Sequence, residues 1–284
     1  MVQLARPKQL NTMTDLFFNE LGACFSALGR DTSVRCIVLS SASDKIFTAG
    51  LDLKAVEALG ISDGVTGQRD IARVGLTFMD LVDRWQRAIS TLEEARVPII
   101  AAVHGPCIGG GVDLVTAADI RVCSAASYFS IKEVDLAMAA DIGTLQRLPK
   151  VMGNQSLIRE WAYTGRNISA QEALTAGLVS HVAADREKTL GMLLSSFIAS
   201  DCRVRSSRCE ILIAYALKLA ADISTKSPLA ITGIKAGLLY SRDHTVADGL
   251  KQIGMWNSSQ LQSADVMSAA MAILSKQTPK FAKL

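Results

Sequence analysis

Residues 98–149 read PIIAAVHGPCIGGGVDLVTAADIRVCSAASYFSIKEVDLAMAADIGTLQRLP. The opening run Pro98-Ile99-Ile100-Ala101-Ala102-Val103 is short and apolar, which predicts a buried strand. His104-Gly105-Pro106 ends it. Gly109-Gly110-Gly111 then opens residues 112–119, an Ala-rich apolar segment that predicts a helix buried on most faces. Glycines at a strand-to-helix junction let the backbone come very close to a ligand. The first N–H groups of a helix lack internal partners, and its dipole favours negative charge there. Such a junction can hold an oxyanion. Asp113 lies inside the helix, and Glu133 and Asp141 follow in mostly apolar surroundings.

Each of these features also has a structural reading. A glycine triplet commonly means close packing. Asp113 reads equally as a buried helix carboxylate with a structural partner. Asp141 reads equally as the cap of a helix beginning near Ile142. Glu133, after Ser130-Ile131-Lys132, reads equally as a charge at an exposed strand end. It is the set together that points to chemistry.

Upstream of this stretch, Thr12-Met13-Thr14-Asp15 has capping-box spacing. Phe17, Leu21, Cys24, Phe25 and Leu28 follow at helical spacing and predict an amphipathic helix of about 17 residues. Residues 34–40 predict a buried strand, and Ser41-Ala42-Ser43-Asp44 a turn. Residues 2–7 read as the end of a strand. Residues 56–68, with Gly60, Gly64 and Gly67, read as a mobile cover, and residues 71–94 as one long helix with Val74, Phe78, Leu81, Val82, Trp85, Ile89 and Leu92 on one stripe. Downstream, residues 154–163 and 169–176 read as helices and 178–182 as a strand. From residue 186 onward every segment is helical in pattern: 188–199, 207–222, 228–240, 246–257 and 264–275. Two units are therefore expected, residues 1–185 and residues 186–284.

The motifs Ile46-Phe47-Thr48-Ala49-Gly50-Leu51-Asp52-Leu53, residues 98–119, residues 129–148, Thr164-Gly165-Arg166 and residues 170–182 resemble the enoyl-CoA hydratase/isomerase (crotonase) superfamily. Within it, Lys132-Glu133-Val134-Asp135 followed by residues 139–149 looks most like the delta(3,5)-delta(2,4)-dienoyl-CoA isomerases. Plain hydratases usually carry glycine where Asp141 stands and glutamate where Asp113 stands. The resemblance implies an α/β fold, a crotonase-like spiral core of ββα turns with a helical C-terminal trimerisation region. It implies backbone N–H groups at Leu51 and Gly110 as the oxyanion hole, and Lys45, Ala49, Leu51, Asp52, Gly109 and Gly110 around an acyl-CoA. It implies Glu133 as base near carbon 2, Asp141 as acid for carbon 6, and Asp113 as a third carboxyl beside the pair. No metal and no cofactor are implied, since coenzyme A is part of the substrate. The expected partner is the chain itself, as a trimer or dimer of trimers. Family members usually have one or more strands before the point where this chain starts, so an edge strand is expected to be missing.

Composition narrows the alternatives. The 284 residues are 49% hydrophobic and 5% aromatic, enough apolar side chain for a sizeable core. A net charge of +3, without a dense Lys/Arg stripe, argues against nucleic-acid binding. The six cysteines (24, 36, 107, 123, 202 and 209) show no metal spacing and read as reduced thiols. No run of 18 apolar residues is present, so no membrane span is expected. The last residues, Ala282-Lys283-Leu284, are close to a Ser-Lys-Leu peroxisomal address, which predicts a peroxisome or related organelle, with the mitochondrial matrix as the alternative. Two other functional classes compete with the isomerase. A 2-enoyl-CoA hydratase must hold and activate a water, and Asp141 in place of glycine argues against it; a non-catalytic acyl-CoA-binding member commonly lacks the carboxylates kept here.

Overall fold

Apolar runs built from Ile, Val and Ala become the strands of a central parallel sheet. The computed structural model describes residues 1–54, 66–67, 69–183 and 207–284. Strands β1 (Val2–Leu4), β2 (Ile37–Ser41), β3 (Ile99–Val103), β5 (Ile120–Ser124) and β8 (His181–Ala183) form it in that spatial order, every neighbouring pair parallel. Three shorter strands, β4 (Pro106–Ile108), β6 (Tyr128–Ser130) and β7 (Ile168–Ser169), make a second sheet. In it β4 and β6 run parallel, and β6 and β7 antiparallel. After β3 and again after β5 the chain turns sharply and enters this second layer. These are the ββα turns of the expected spiral.

Strand periodicity explains why the large sheet is buried on both faces. Ile37, Leu39, Ile99, Ala101 and Val103 face a core shared with α1 (Asp15–Arg30) and α2 (Ile71–Glu94). The intervening Val38, Ile100, Ala102 and Val122 face the other way, onto Cys209, Leu212, Ile213 and Ala216 of α7 (Ser207–Ser224). The first described helix of the C-terminal region thus covers the second face of the sheet.

Helix α1 is capped by Thr14, whose side-chain oxygen accepts from Phe17 N, and not by Thr12. The Thr12 hydroxyl instead donates to Asp52 Oδ2 at 3.0 Å. Helix α2 spans the expected residues, but its apolar stripe is fully buried only from Leu81 onward, at Leu81, Trp85, Ala88, Ile89 and Leu92. Ile71, Leu76 and Met79 of the earlier turns are exposed. The helix opened by the glycine triplet, α3 (Gly110–Thr116), is shorter than expected and wholly buried. It stops where Asp119 turns back to accept from Ile99 N at 2.8 Å. Helices α4 (Thr144–Val151), α5 (Gln155–Thr164) and α6 (Ala170–Ala176) then lead to β8. The expected cover at 56–68, save residues 66 and 67, the helix at 188–199 and the unit boundary at 185/186 lie outside the described residues.

The last three helices are α8 (Pro228–Tyr240), α9 (Val246–Gln260) and α10 (Ala264–Leu274). Lys235 fastens α8 to the core. Its ammonium is buried and donates to Leu92 O (2.9 Å), Val97 O (3.1 Å) and Asp119 Oδ2 (2.8 Å), using all three protons. Removing one partner of a buried pair typically costs about 3–5 kcal/mol, because a charge is left uncompensated. Lys235→Met should therefore lower the unfolding free energy by about 3 kcal/mol in a denaturant titration; a change too small to resolve would show that Lys235 does not hold the C-terminal helices down.

Candidate active site

The site begins where residues 48–51 cross the turn at 107–110. Thr48 and Cys107 are bridged, Ile108 N donates to Thr48 O at 3.1 Å, and Thr48 N donates to Pro106 O at 3.2 Å. On the other side Met13 pairs with Leu51: Met13 N donates to Gly50 O, and Asp52 N to Met13 O, both at 2.8 Å. That pairing turns the Leu51 N–H away from Met13. Gly50 makes the crossing possible. Its φ is +84°, and a Cβ there would sit 2.7 Å from Ile108 O. Gly110 is the first residue of α3, so its N–H has no partner within the helix. Among the described residues, neither the Leu51 nor the Gly110 N–H donates a hydrogen bond. The two backbones nearly abut, since a Cβ built on Gly110 would lie 4.0 Å from Leu51 N.

Both groups open into a cavity of about 260 Å³. Ala49, Leu51, Ile108, Gly109 and Gly110 form one side of it. Phe78 and Trp85 of α2 form another, and Lys132, Glu133, Leu136, Met138, Asp141 and Ile142 close it. Trp85 is fixed from behind by stacking on Phe18 (centroids 4.7 Å apart) and by a 2.9 Å hydrogen bond to Asp15 Oδ1.

Glu133 sits in a short 3-10 turn, Lys132–Leu136, and not on a strand end. A Cβ on Gly109 would lie 3.2 Å from its Oε1, so the carboxyl overhangs the glycine turn. Oε2 is buried with no hydrogen-bond partner among the described residues. Burial, then the charge of Asp113, push Glu133 up to about 7, and Asp141 adds to the effect. Asp141 is half-buried, and burial raises its pKa as well. It caps nothing: α4 starts at Thr144 after Gly143, with no side-chain cap. The Thr144 N–H is instead taken by Asp113 Oδ1 at 2.5 Å.

Three expected site residues stand elsewhere. Asp113 has no exposed surface and does not line the cavity, because α3 is buried on every face; it reaches the site only through its field. Burial raises it to about 6, with the Thr144 N–H holding it down. Lys45 is exposed and outside the cavity. The carboxylate of Asp52 accepts from the Thr12 hydroxyl, and Asp52 is not among the residues that line the cavity. Conversely, Phe78, Trp85, Leu136, Met138 and Ile142 line the cavity without having been singled out for it. The signal was partly available, since Phe78 and Trp85 lie seven residues apart on the predicted stripe.

The arrangement is an apolar cavity with two unengaged N–H donors on one wall and two carboxyls of raised pKa on another. A family model described as enoyl-CoA hydratase/isomerase matches residues 1–191. The chain belongs to the enoyl-CoA hydratase/isomerase family. That family acts on acyl-CoA thioesters. Among curated family members, a mitochondrial delta(3,5)-delta(2,4)-dienoyl-CoA isomerase of Homo sapiens is 43% identical, covering 100% of this chain and 79% of the relative. A peroxisomal protein of the same name from Arabidopsis thaliana is 40% identical, covering 98% and 91%. Among solved structures, an enoyl-CoA hydratase of Bacillus anthracis is 25% identical with a TM-score of 0.78, covering 97% of this chain and 92% of that one. The crotonase fold expected from the motifs is therefore the fold found.

The burial of Glu133 can be tested without any substrate. Its carboxyl, followed by carbon-13 NMR, should titrate near pH 7, not near the 4.5 of a solvated glutamate. Asp113→Asn keeps an acceptor for Thr144 N–H but removes the charge, so the Glu133 midpoint should fall. A midpoint unmoved by that substitution would mean that Asp113 does not act on the site.

Proposed function

We propose that the protein is a delta(3,5)-delta(2,4)-dienoyl-CoA isomerase, converting 3,5-dienoyl-CoA to 2,4-dienoyl-CoA in the β-oxidation of unsaturated fatty acids. The observation that carries this reading is that Glu133 and Asp141 share one apolar cavity with the free N–H groups of Leu51 and Gly110. Relatives of that name at 40–44% identity support it.

The thioester carbonyl oxygen lies between the Leu51 and Gly110 N–H groups, with Lys45, Ala49, Asp52 and Gly109 along the path of the coenzyme A. Glu133, overhanging Gly109, removes a proton from carbon 2. The electron pair passes into the carbonyl, and the conjugated enolate oxygen is held by the two donors. One such donor typically contributes about 10²–10³ in rate. Carbon 6 then takes the proton of Asp141, and the double bonds settle at carbons 2 and 4. Carbons 2 and 6 are too far apart for one rigid side chain, so two carboxyls are required, one ionised and one protonated. A pKa near 7 makes Glu133 a stronger base than a solvated carboxylate yet leaves a good fraction ionised at neutral pH. An acyl chain lying over Asp141 removes its remaining water and favours the protonated form. After each turnover Glu133 holds the proton that Asp141 has lost, and exchange with water restores both. A 2-enoyl-CoA hydratase would need to keep a water beside the thioester; the second carboxyl on the acyl path argues against that class.

We assign the self-association to a trimer or dimer of trimers. Leu238 (68% exposed), Leu250, Met267 and Ile273 (77%) put apolar surface of α8, α9 and α10 into solvent in the single chain. Light scattering at micromolar concentration should give three or six times the chain mass; a monomer refutes it. An organellar location agrees with relatives named mitochondrial and peroxisomal.

The assay is the growth of conjugated-dienoyl absorbance from 3,5-dienoyl-CoA. Asp141→Asn should lower turnover by about 10²–10⁴, the usual contribution of general acid–base catalysis. Exchange of the carbon 2 proton with deuterium should survive in that variant, and Glu133→Gln should abolish both. Loss of exchange in Asp141→Asn with its retention in Glu133→Gln would reverse the two roles. Robust 2-enoyl hydration without isomerisation would overturn the proposal.

A further inference from the structure

Helix α2 carries a polar row next to its buried stripe: Gln86, Ser90 and Glu93, spaced i, i+4, i+7. This row meets the backbone that carries Asp141. Gln86 Nε2 donates to Asp141 O at 2.6 Å. Arg147, buried at the start of α4, donates from Nη1 to Ile142 O at 3.4 Å. Its Nε and Nη2 donate to Glu93 Oε2 (2.7 Å) and Ser90 Oγ (2.9 Å). The other Glu93 oxygen, Oε1, accepts from Arg242, just past the end of α8. Gly143 completes the arrangement: its φ is +140°, and a Cβ there would overlap Arg147 Nη1. The guanidinium therefore occupies the space that a side chain at 143 would take.

We propose that Arg147 and Gln86 are positioning residues, which hold the 141–142 backbone against α2 so that the Asp141 carboxyl meets carbon 6 and not merely solvent. Neither residue lines the cavity, so each acts through the loop. Asp141 is held at its own carbonyl and at the next one, so the two peptide units that follow its Cα are both fixed. Glu93 ties this grip to the C-terminal helices through Arg242. The inference rests on the assignment of Asp141 as the carbon 6 acid.

The test is the partition between carbon 2 exchange and full isomerisation, each measured per folded protein. Arg147→Lys keeps the positive charge but loses the planar fork that serves Glu93, Ser90 and Ile142 O together. It should lower kcat about 10–100-fold, as a displacement near 1 Å does, and leave KM and carbon 2 exchange within about threefold. Gln86 is exposed, so Gln86→Ala folds without difficulty and should show the same partition with a loss of about 3–10-fold. Equal loss of exchange and turnover in Arg147→Lys, or unchanged turnover in both variants, overturns the positioning role. Asp141→Asn run alongside separates the two readings. If it shows the partition and the Arg147 and Gln86 variants do not, only the positioning inference fails. If it shows none, the assignment of Asp141 fails and the positioning inference falls with it.

Discussion

Two buried backbone segments crossing at van der Waals distance are the constraint on which the site depends. Buried peptide groups must find hydrogen-bond partners, and at this crossing nearly all do. Phe47 N and Thr48 N both donate to Pro106 O, Gly50 N donates to the Thr48 hydroxyl, and that hydroxyl donates to Asn11 O. The fit leaves no room on either strand of the crossing. A Cβ at Gly111 would lie 2.5 Å from Thr48 Cγ2, and one at Gly50 would lie 2.7 Å from Ile108 O. Against that background of satisfied groups, the Leu51 and Gly110 N–H groups stand out as two donors held side by side with nothing to bond. No side chain makes this pair of donors; the closeness of two backbones does.

The second constraint is electrostatic. Three carboxyl groups are placed in an apolar region where each disfavours the charge of the others. Asp113 receives a single backbone N–H, from Thr144, and its second oxygen has no partner among the described residues. It cannot touch a substrate in the cavity. What it does is raise the proton affinity of Glu133, the group that overhangs the glycine turn. An isolated surface glutamate would stay ionised at neutral pH and would be a weak base. Burial beside a second carboxylate turns the same side chain into one poised between its two forms.

The strands and long helices were legible because their signals are local and periodic. Residues 71–94 gave the full extent of α2, and Ile37, Leu39, Ile99 and Ala101 follow the two-residue period of a sheet covered on both faces. The motifs located the glycine turn, Glu133 and Asp141, and the structure puts all three on one cavity. What stayed hidden depends on contacts distant in sequence. Thr12 has the spacing of a cap, yet Asp52, forty residues on, takes its hydroxyl and Thr14 becomes the cap. Asp141 looked like a cap for α4, but Asp113 reaches the first N–H of that helix across 31 residues. Nothing local separates a carboxyl that lines a cavity from one that stands behind it; Asp113 and Glu133 differ in this only because α3 is packed on every side.

Helix α2 links the cavity to the rest of the molecule, and its two ends are held very differently. Its C-terminal end is clamped from α8 by Lys235 on Leu92 O and from just beyond α8 by Arg242 on Glu93. Its N-terminal turns expose Ile71, Leu76 and Met79. Phe78 lies near the loose half and Trp85 in the fixed half, and both line the cavity. Few buried contacts mean a low local opening free energy, so the Phe78 end of the wall yields before the Trp85 end does. The rigid end lies by Asp15, Gln86 and the 141–147 segment, which carries the Asp141 carboxyl. A single helix thus gives one cavity a fixed wall at Trp85 and a less firmly held one towards Phe78.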